Sequence, residues 1–301
     1  MRGGRREGRR GSLCSDAAVK LQSPMAQPVP LQSGREWDEI PGQHVLLQGG
    51  GISPKKWLRD TNARGVQAVF KFAEPADDVD QMYSLGFERV GYALAMALDL
   101  PVPDTHLESF DRRRGAVQIL RPNADWSRHW ALAEGTAMWG DIRNRDLWPL
   151  CVAFDLWIAN TDRHIRNVVF EAIPPDVRPW HAAACTTWLP DHGWGGLYPP
   201  SKFRAAAVEA VTFDAHGRMT PEANARLRDR MPPEYLAAFT ALTPAERQTV
   251  LDAVKAVPDD AVAEAVRTVP QAYFTQRARR ETVHLLKARR DAVDILAAEV
   301  F

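Results

Sequence analysis

Cysteine is scarce in this chain and long apolar runs are missing. Three thiols, Cys14, Cys151 and Cys185, lie far apart in 301 residues, with no Cys-x-x-Cys spacing. Their odd number and wide separation exclude a disulfide framework and a zinc ribbon and fit a reducing compartment, so the cytoplasm is the expected location. No stretch reaches the roughly 18 consecutive apolar residues of a membrane span. Charge of one sign is also lacking, because 38 Lys and Arg offset 38 Asp and Glu. No global field favours nucleic acid or anionic lipid, and a charged substrate must be met by a local patch. Internal repeats of fixed period are absent. His181, His192 and Asp191 lack both a His-x-x-x-His pair and a second carboxylate nearby, so a zinc or di-iron hydrolase is not expected.

What is present is ample apolar material, 45% of the chain, enough for one large domain or two lobes. Residues 1–35 stand apart. "MRGGRREGRRGS" sets Arg2, Arg5, Arg6, Arg9 and Arg10 among glycines, and "SPMAQPVPLQSG" adds Pro and Gln. Neither composition buries enough surface to order itself, so the segment reads as a disordered basic and Pro/Gln-rich tail. No apolar h-region follows the arginine pairs, which argues against an export signal.

Beyond the tail, "HVLLQGGGISPKKW" reads as a short strand entering a turn at Gly49, Gly50 and Gly51. "GVQAVFKF" reads as a second strand, Val66 to Phe72, with Val66, Ala68 and Phe70 on one face and Lys71 on the other. Together they suggest a hairpin. Phe87, Val90, Leu94 and Leu98 then form one helical stripe from about Met82 to Leu98, ended by "LPVP". "THLESF" and "GAVQIL" look like two more strands around the turn "DRRRG". The second half turns helical. "LWPLCVAFDLWIAN", Leu147 to Asn160, reads as a buried helix, followed by short strands at Val168 to Phe170 and Thr186 to Leu189. From Ser201 onward the apolar period stays near 3.6, ending in the long "QRARRETVHLLKARRDAVDILAAEV", an ordinary surface helix by its alternating apolar positions. Trp126, Trp130, Trp139, Trp148 and Trp157 cluster around the buried helix and read as packing, and most of the eight histidines are expected at the surface.

Transfer of a phosphoryl group from ATP requires a cation on the phosphates, ligands for Mg²⁺, an acid near the attacking hydroxyl and a covering loop. Lys71 points off its strand's apolar face, and Glu88 follows on the helix beside the buried stripe, so the two can pair. In "NTDRHIRNVVF", Asp162 is followed five residues on by Asn167, between a buried helix and an apolar strand. There the acid can orient a hydroxyl and the amide can bind a hard cation. "WLPDHGWGG" brings Asp191 as a second metal carboxylate. Taken singly, each has a plainer reading: a surface Lys and Glu, a solvated loop, a simple turn. Their order along the chain is what joins them.

"NTDRHIRN" resembles the Asp-Arg-His-x-x-Asn catalytic loop of phosphoinositide kinases and bacterial HipA-like kinases. "VFKF", "FERVGYALAMALDLPVP" and "LPDHGWGG" resemble the Lys strand, the Glu helix and the metal-Asp segment of the HipA-like group, over about Val45 to Gly196. The resemblance implies an α+β, two-lobed protein-kinase-like fold: a β-rich N-lobe with one helix over residues 36–125 and a larger, mostly helical C-lobe over 126–301. It implies ATP and Mg²⁺ as cofactors, with Asp162 as catalytic acid or base and His164 supporting the transition state. Asn167 and Asp191 become metal ligands, and Lys71, with Glu88 behind it, holds phosphate. The expected activity is phosphorylation of Ser or Thr in a protein. A lipid or small-molecule hydroxyl kinase, or a nucleotide-binding pseudokinase in a toxin–antitoxin pair, remains open. The expected partners are a protein substrate or an antitoxin-like protein, with nucleic acid met only through such a partner. "LLQGGGISPKKW" is only generally glycine-rich and matches no Walker pattern. Its Ser53 is the one hydroxyl placed like the autophosphorylated serine of some HipA-like kinases, and an N-cap or turn serine is the plainer reading of it. The proline-containing segment between Asn167 and Asp191 is long, and no activation-loop signature follows, so regulation by loop phosphorylation is not expected.

Overall fold

A computed structural model describes residues 32–40, 55–73, 79–120, 124–125, 142–172, 185–193 and 218–301. The glycine turn, Ser53, Trp126, Trp130, Trp139, His181 and most of the expected tail lie outside them. The fold is α+β, with a small sheet and one helix followed by a larger helical lobe. Five strands, β1 (Trp37–Glu39), β2 (Lys55–Asp60), β3 (Gln67–Phe72), β4 (Thr105–Phe110) and β5 (Arg113–Ile119), form an antiparallel sheet in the order β1-β2-β3-β5-β4. One sheet face carries Leu58, Ala68, Phe70, Phe72 and Val117 as a small apolar cluster. The row Lys55, Lys71, Ala116, Leu107 crosses the other face. On that face lies α1 (Val79–Ala97), whose stripe of Phe87, Val90 and Leu94 is fully buried.

The hairpin partner of β3 is β2, starting at Lys55, rather than the expected strand before the glycines, which falls outside the described residues. Residues 32–35, expected in the tail, reach the sheet: Ser33 N donates to Glu108 Oε1 at 2.7 Å, and Arg35 pairs with buried Asp60. Two sheet carboxylates thus capture the chain before position 36. The β4–β5 turn needs only Asp111 and Arg112, both with positive φ (52° and 59°), the backbone that a two-residue hairpin of right-handed twist requires.

The helical lobe is built around α2 (Trp148–Trp157), buried along nearly its whole length. Against the lobe stands a second sheet, β6 (Ala124–Asp125), β7 (Val169–Ala172) and β8 (Cys185–Trp188), antiparallel in that order. Among the described residues six helices follow: α3 (Pro221–Arg230), α4 (Pro233–Thr240), α5 (Pro244–Lys255), α6 (Asp259–Arg267), α7 (Gln276–Asp291) and α8 (Val293–Val300). Threonines 220, 243 and 275 cap α3, α5 and α7, and Pro occupies the first turn of α3, α4 and α5, as orphan N–H groups favour. The expected single last helix is two, broken at Ala292. The break lets Val293, Leu296, Ala297 and Val300 of α8 bury themselves in the common core. Arg289 is buried too: its Nε donates to Trp157 O at 2.8 Å and its Nη2 to Leu156 O, capping the carbonyl end of α2. No helix of the described residues is long and apolar enough to cross a membrane.

The two lobes share one core. Tyr83 of α1 stacks on Phe274 with ring centroids 4.5 Å apart, and its hydroxyl lies 2.9 Å from Thr282 Oγ1. Next to it, the Tyr273 hydroxyl donates to Gly115 O at 3.2 Å, reaching from the helical lobe to β5. Burial pushes this hydroxyl up to about 12, against an ordinary value of about 10. The folded state keeps the proton where the unfolded chain has lost it. The stabilisation is therefore complete below pH ~10 and lost as pH rises through ~12. Tyr273→Phe is expected to cost ~1 kcal/mol at neutral pH and to flatten the alkaline fall of stability in urea unfolding. An alkaline slope identical to wild type would show that Tyr273 is not the titrating group.

Candidate active site

Past the end of α2, Ala159 takes a left-handed φ of 55° and turns the chain into the loop. The two amides of "NTDRHIRN" shape that loop. Asn160 Nδ2 donates to Asp155 Oδ1 at 2.9 Å, and Asn160 Oδ1 accepts from Asp162 N at 3.2 Å. At the other end Asn167 Nδ2 donates to Asp162 O at 2.8 Å. The result is a closed turn that presents the Asp162 carboxylate, 20% exposed, outward.

Arg163 fixes this turn to the rest of the site, a role that the sequence reading missed. Its side chain is fully buried. Nε and Nη2 grip the equally buried Asp155 of α2 at 2.9 and 3.2 Å. Nη1 donates both to Asn167 O at 2.8 Å and to Pro190 O at 2.5 Å, while Nη2 lies 3.0 Å from His192 Nδ1. One guanidinium thus ties α2, the loop ending in Asn167 and the segment carrying Asp191. Asp155 outweighs the cost of burial and keeps the guanidinium charged. The available signal was Asp155 itself, a lone acid on an otherwise apolar helix that demands a cation.

The expected Lys71–Glu88 pair is present. Lys71 Nζ lies 2.5 Å from Glu88 Oε1 and 3.3 Å from Asp191 Oδ2, with Lys71 6% and Glu88 2% exposed. Gln118 Nε2 and the His192 backbone N–H donate to Glu88 Oε2 at 3.2 and 2.7 Å. Burial would lower the lysine, but Asp191 and Glu88 outweigh it and its pKa is raised. One ammonium cannot neutralise two carboxylates fully. Burial pushes Glu88 up against the pull of Lys71. The same burial is overcome at Asp191, where Lys71 and then Lys55 hold the carboxyl well below its usual range.

Asp191 itself sits at φ 65° and keeps 18% side-chain exposure. Its neighbours are locked in place. His192 packs so tightly on α1 that a Cβ at Gly91 would lie 2.3 Å from the His192 Cβ. A Cβ at Gly193 would approach Ser84 Oγ to 2.7 Å and Glu88 Oε1 to 3.0 Å. Most of the histidines are expected at the surface, but His192 and His106 are buried. Burial, and then Arg163, hold the His192 imidazole well below its usual pKa. Because an arginine only donates, Nδ1 accepts and Nε2 carries the proton. That ring meets Phe154 edge-on at 5.6 Å.

Two further groups face the site. Lys55, directly opposite Lys71 in the β2–β3 register, feels Asp191, Glu88 and Asp162. Its pKa is lowered by burial and by Lys71. Among the described residues it has no hydrogen bond or ion pair. The sequence reading gave Lys55 no role; the alternation that sets Lys55 on one face and Lys56 on the other was the missed signal. His164, beside Asp162 with Nε2 3.8 Å from Oδ2, is held below its usual pKa by burial.

The arrangement suits a hard divalent cation shared with phosphate oxygens. Mg²⁺ keeps several waters and takes one or two protein oxygens. With Nδ2 of Asn167 spent on Asp162 O, its Oδ1 is the atom left for a metal, and Asp191 is held as a carboxylate. No cluster of three or more His, Cys, Asp and Glu that could hold a metal occurs among the described residues.

No family model matches the chain, and no curated protein matches it. Solved structures of similar fold include the Helicobacter pylori proinflammatory kinase CtkA, 15% identical over 89% of this chain and 96% of that one, TM-score 0.48. HipA of Shewanella oneidensis MR-1, in a toxin–antitoxin complex with HipB and operator DNA, is 13% identical over 90% of this chain and 76% of that one, TM-score 0.42.

Proposed function

We propose that the protein is an ATP- and Mg²⁺-dependent phosphotransferase acting on serine or threonine hydroxyls of a protein. The observation that carries this reading is the convergence of Glu88 and Asp191 on the buried Lys71 ammonium, with the Asp162 loop bound to the Asp191 segment through Arg163. Bound Mg²⁺ would supply charge neutralisation on the phosphate oxygens, held by Asn167 Oδ1 and the Asp191 carboxylate. Lys71, kept in place by Glu88, binds phosphate, and Lys55 adds a second cation on the same sheet face. Asp162 orients the acceptor hydroxyl. The hydroxyl oxygen bonds to the γ-phosphorus as the bond to the β–γ bridging oxygen breaks. Its proton passes to Asp162, and ADP leaves. His164, neutral under its lowered pKa, donates or accepts a hydrogen bond beside Asp162 without adding charge.

The test is incubation of the full chain with γ-labelled ATP and MgCl₂, offered mixed serine/threonine proteins or lipid vesicles. Label is expected in protein serine or threonine and to vanish with EDTA. Label confined to lipid would replace the acceptor. Nucleotide binding with no transfer would replace the enzyme by a pseudokinase.

A further inference from the structure

Arg230 closes α3 and places Nη1 on Asp162 Oδ1. Its side chain is 43% exposed, and among the described residues its guanidinium makes no other hydrogen bond or ion pair. Four of its five N–H donors are thus available at the rim of the site, next to the carboxylate that would receive the acceptor's proton. Exposed ion pairs are weak and exchange readily, and a guanidinium fork binds carboxylate or phosphate through two parallel bonds. Its neighbour Arg228 lacks this placement: it is paired with Asp229 at 3.2 Å, in solvent. The cations Lys71 and Lys55 serve the Asp191 side, so Arg230 is the described cation that touches Asp162 directly.

Resting on the phosphotransferase reading above, we propose that Arg230 is an acceptor-specificity residue: its free edge binds an acidic group flanking the hydroxyl and selects serine or threonine in an acidic peptide. A flanking carboxylate bound to Arg230 brings the hydroxyl to Asp162, because both hang from the same ion pair. A basic flank meets the guanidinium with repulsion. Selection then acts on binding of the acceptor, and nucleotide affinity does not depend on it.

The test uses the full chain saturated with a non-hydrolysable ATP analogue and Mg²⁺, so that the nucleotide site is filled. A fluorescein-labelled peptide with one serine flanked by glutamates is compared with its glutamine counterpart by anisotropy. Wild type is expected to prefer the glutamate peptide at least ten-fold, with inorganic phosphate competing. Arg230→Gln should erase the preference, Arg230→Lys should keep part of it, and Arg228→Gln should leave it whole. Absence of preference in wild type, its survival in Arg230→Gln, or equal loss in Arg228→Gln would overturn the assignment. Faster phosphorylation of the glutamine peptide by Arg230→Gln would also overturn it, since Arg230 would then be a block on Asp162. Binding requires no turnover: Arg230-dependent binding without label transfer would remove the kinase reading alone, and transfer without acidic preference would remove the specificity role alone.

Discussion

Arg163→Met is expected to lower unfolding stability by about 3–5 kcal/mol, the usual cost of removing one partner from a buried ion pair. Both side chains of the Arg163–Asp155 pair are fully buried. The single replacement leaves the Asp155 carboxylate with Asn160 Nδ2 as its remaining side-chain donor among the described residues. It also strips a shared donor from Asn167 O and Pro190 O, and the partner of His192 Nδ1. Unsatisfied buried acceptors add to the loss. Arg163→Lys should recover little, because a point ammonium cannot reach a carboxylate, two carbonyls and an imidazole at once. The double variant Asp155→Leu/Arg163→Met separates charge from geometry. It removes both buried charges and should regain much of the stability, yet the loop and the Asp191 segment stay untied, so phosphotransfer should not return. Denaturant unfolding of the three variants reads the first point and label transfer reads the second. A loss below about 1 kcal/mol in Arg163→Met would mean that the pair does not hold the site together, contrary to what is expected of a buried pair.

Local chemistry made much of this architecture legible. The α1 stripe, the β4 and β5 strands and the buried α2 follow from periodicity, which depends on neighbours in sequence. Lys71 could be paired with Glu88 because strand alternation and helix spacing each fixed a direction. What stayed hidden depends on contacts across the chain. β1 has only three residues and is defined by pairing with β2, so no pattern of its own reveals it. That residues 32–35 join the sheet is set by Glu108 and Asp60, far along the sequence. The break at Ala292 has no Gly or Pro to announce it and comes from the apolar surface that α8 buries. In the site, attention fell on the polar residues that resemble a catalytic loop, whereas the residue organising the loop, Arg163, sits inside the same motif and looks like a solvated charge until Asp155 is placed beneath it. Arg230 lies 68 positions from Asp162, on a helix whose sequence reads as ordinary surface.

Asp162→Asn should reduce turnover by roughly 10²–10⁴-fold, the range for loss of a positioned acid or base, while leaving nucleotide affinity nearly unchanged. Asparagine keeps the shape of the side chain and the backbone carbonyl that Asn167 Nδ2 uses, so the loop should persist. What disappears is the charge that orients the hydroxyl and takes its proton. Stability should fall by at most about 1 kcal/mol, since the pair with Arg230 is solvent-exposed and such pairs contribute little. Lys71→Met supplies the contrast. It removes the cation between Glu88 and Asp191, so a buried and a part-buried carboxylate face each other and nucleotide affinity and fold stability should both drop. The two variants are told apart by measuring nucleotide binding and single-turnover transfer on the same preparations, because an effect confined to the chemical step appears in transfer alone. Full turnover in Asp162→Asn would move the acid–base role elsewhere. Unchanged nucleotide affinity in Lys71→Met would instead make the buried ammonium a structural counter-ion that never meets phosphate, and the phosphotransferase reading would lose the observation on which it rests.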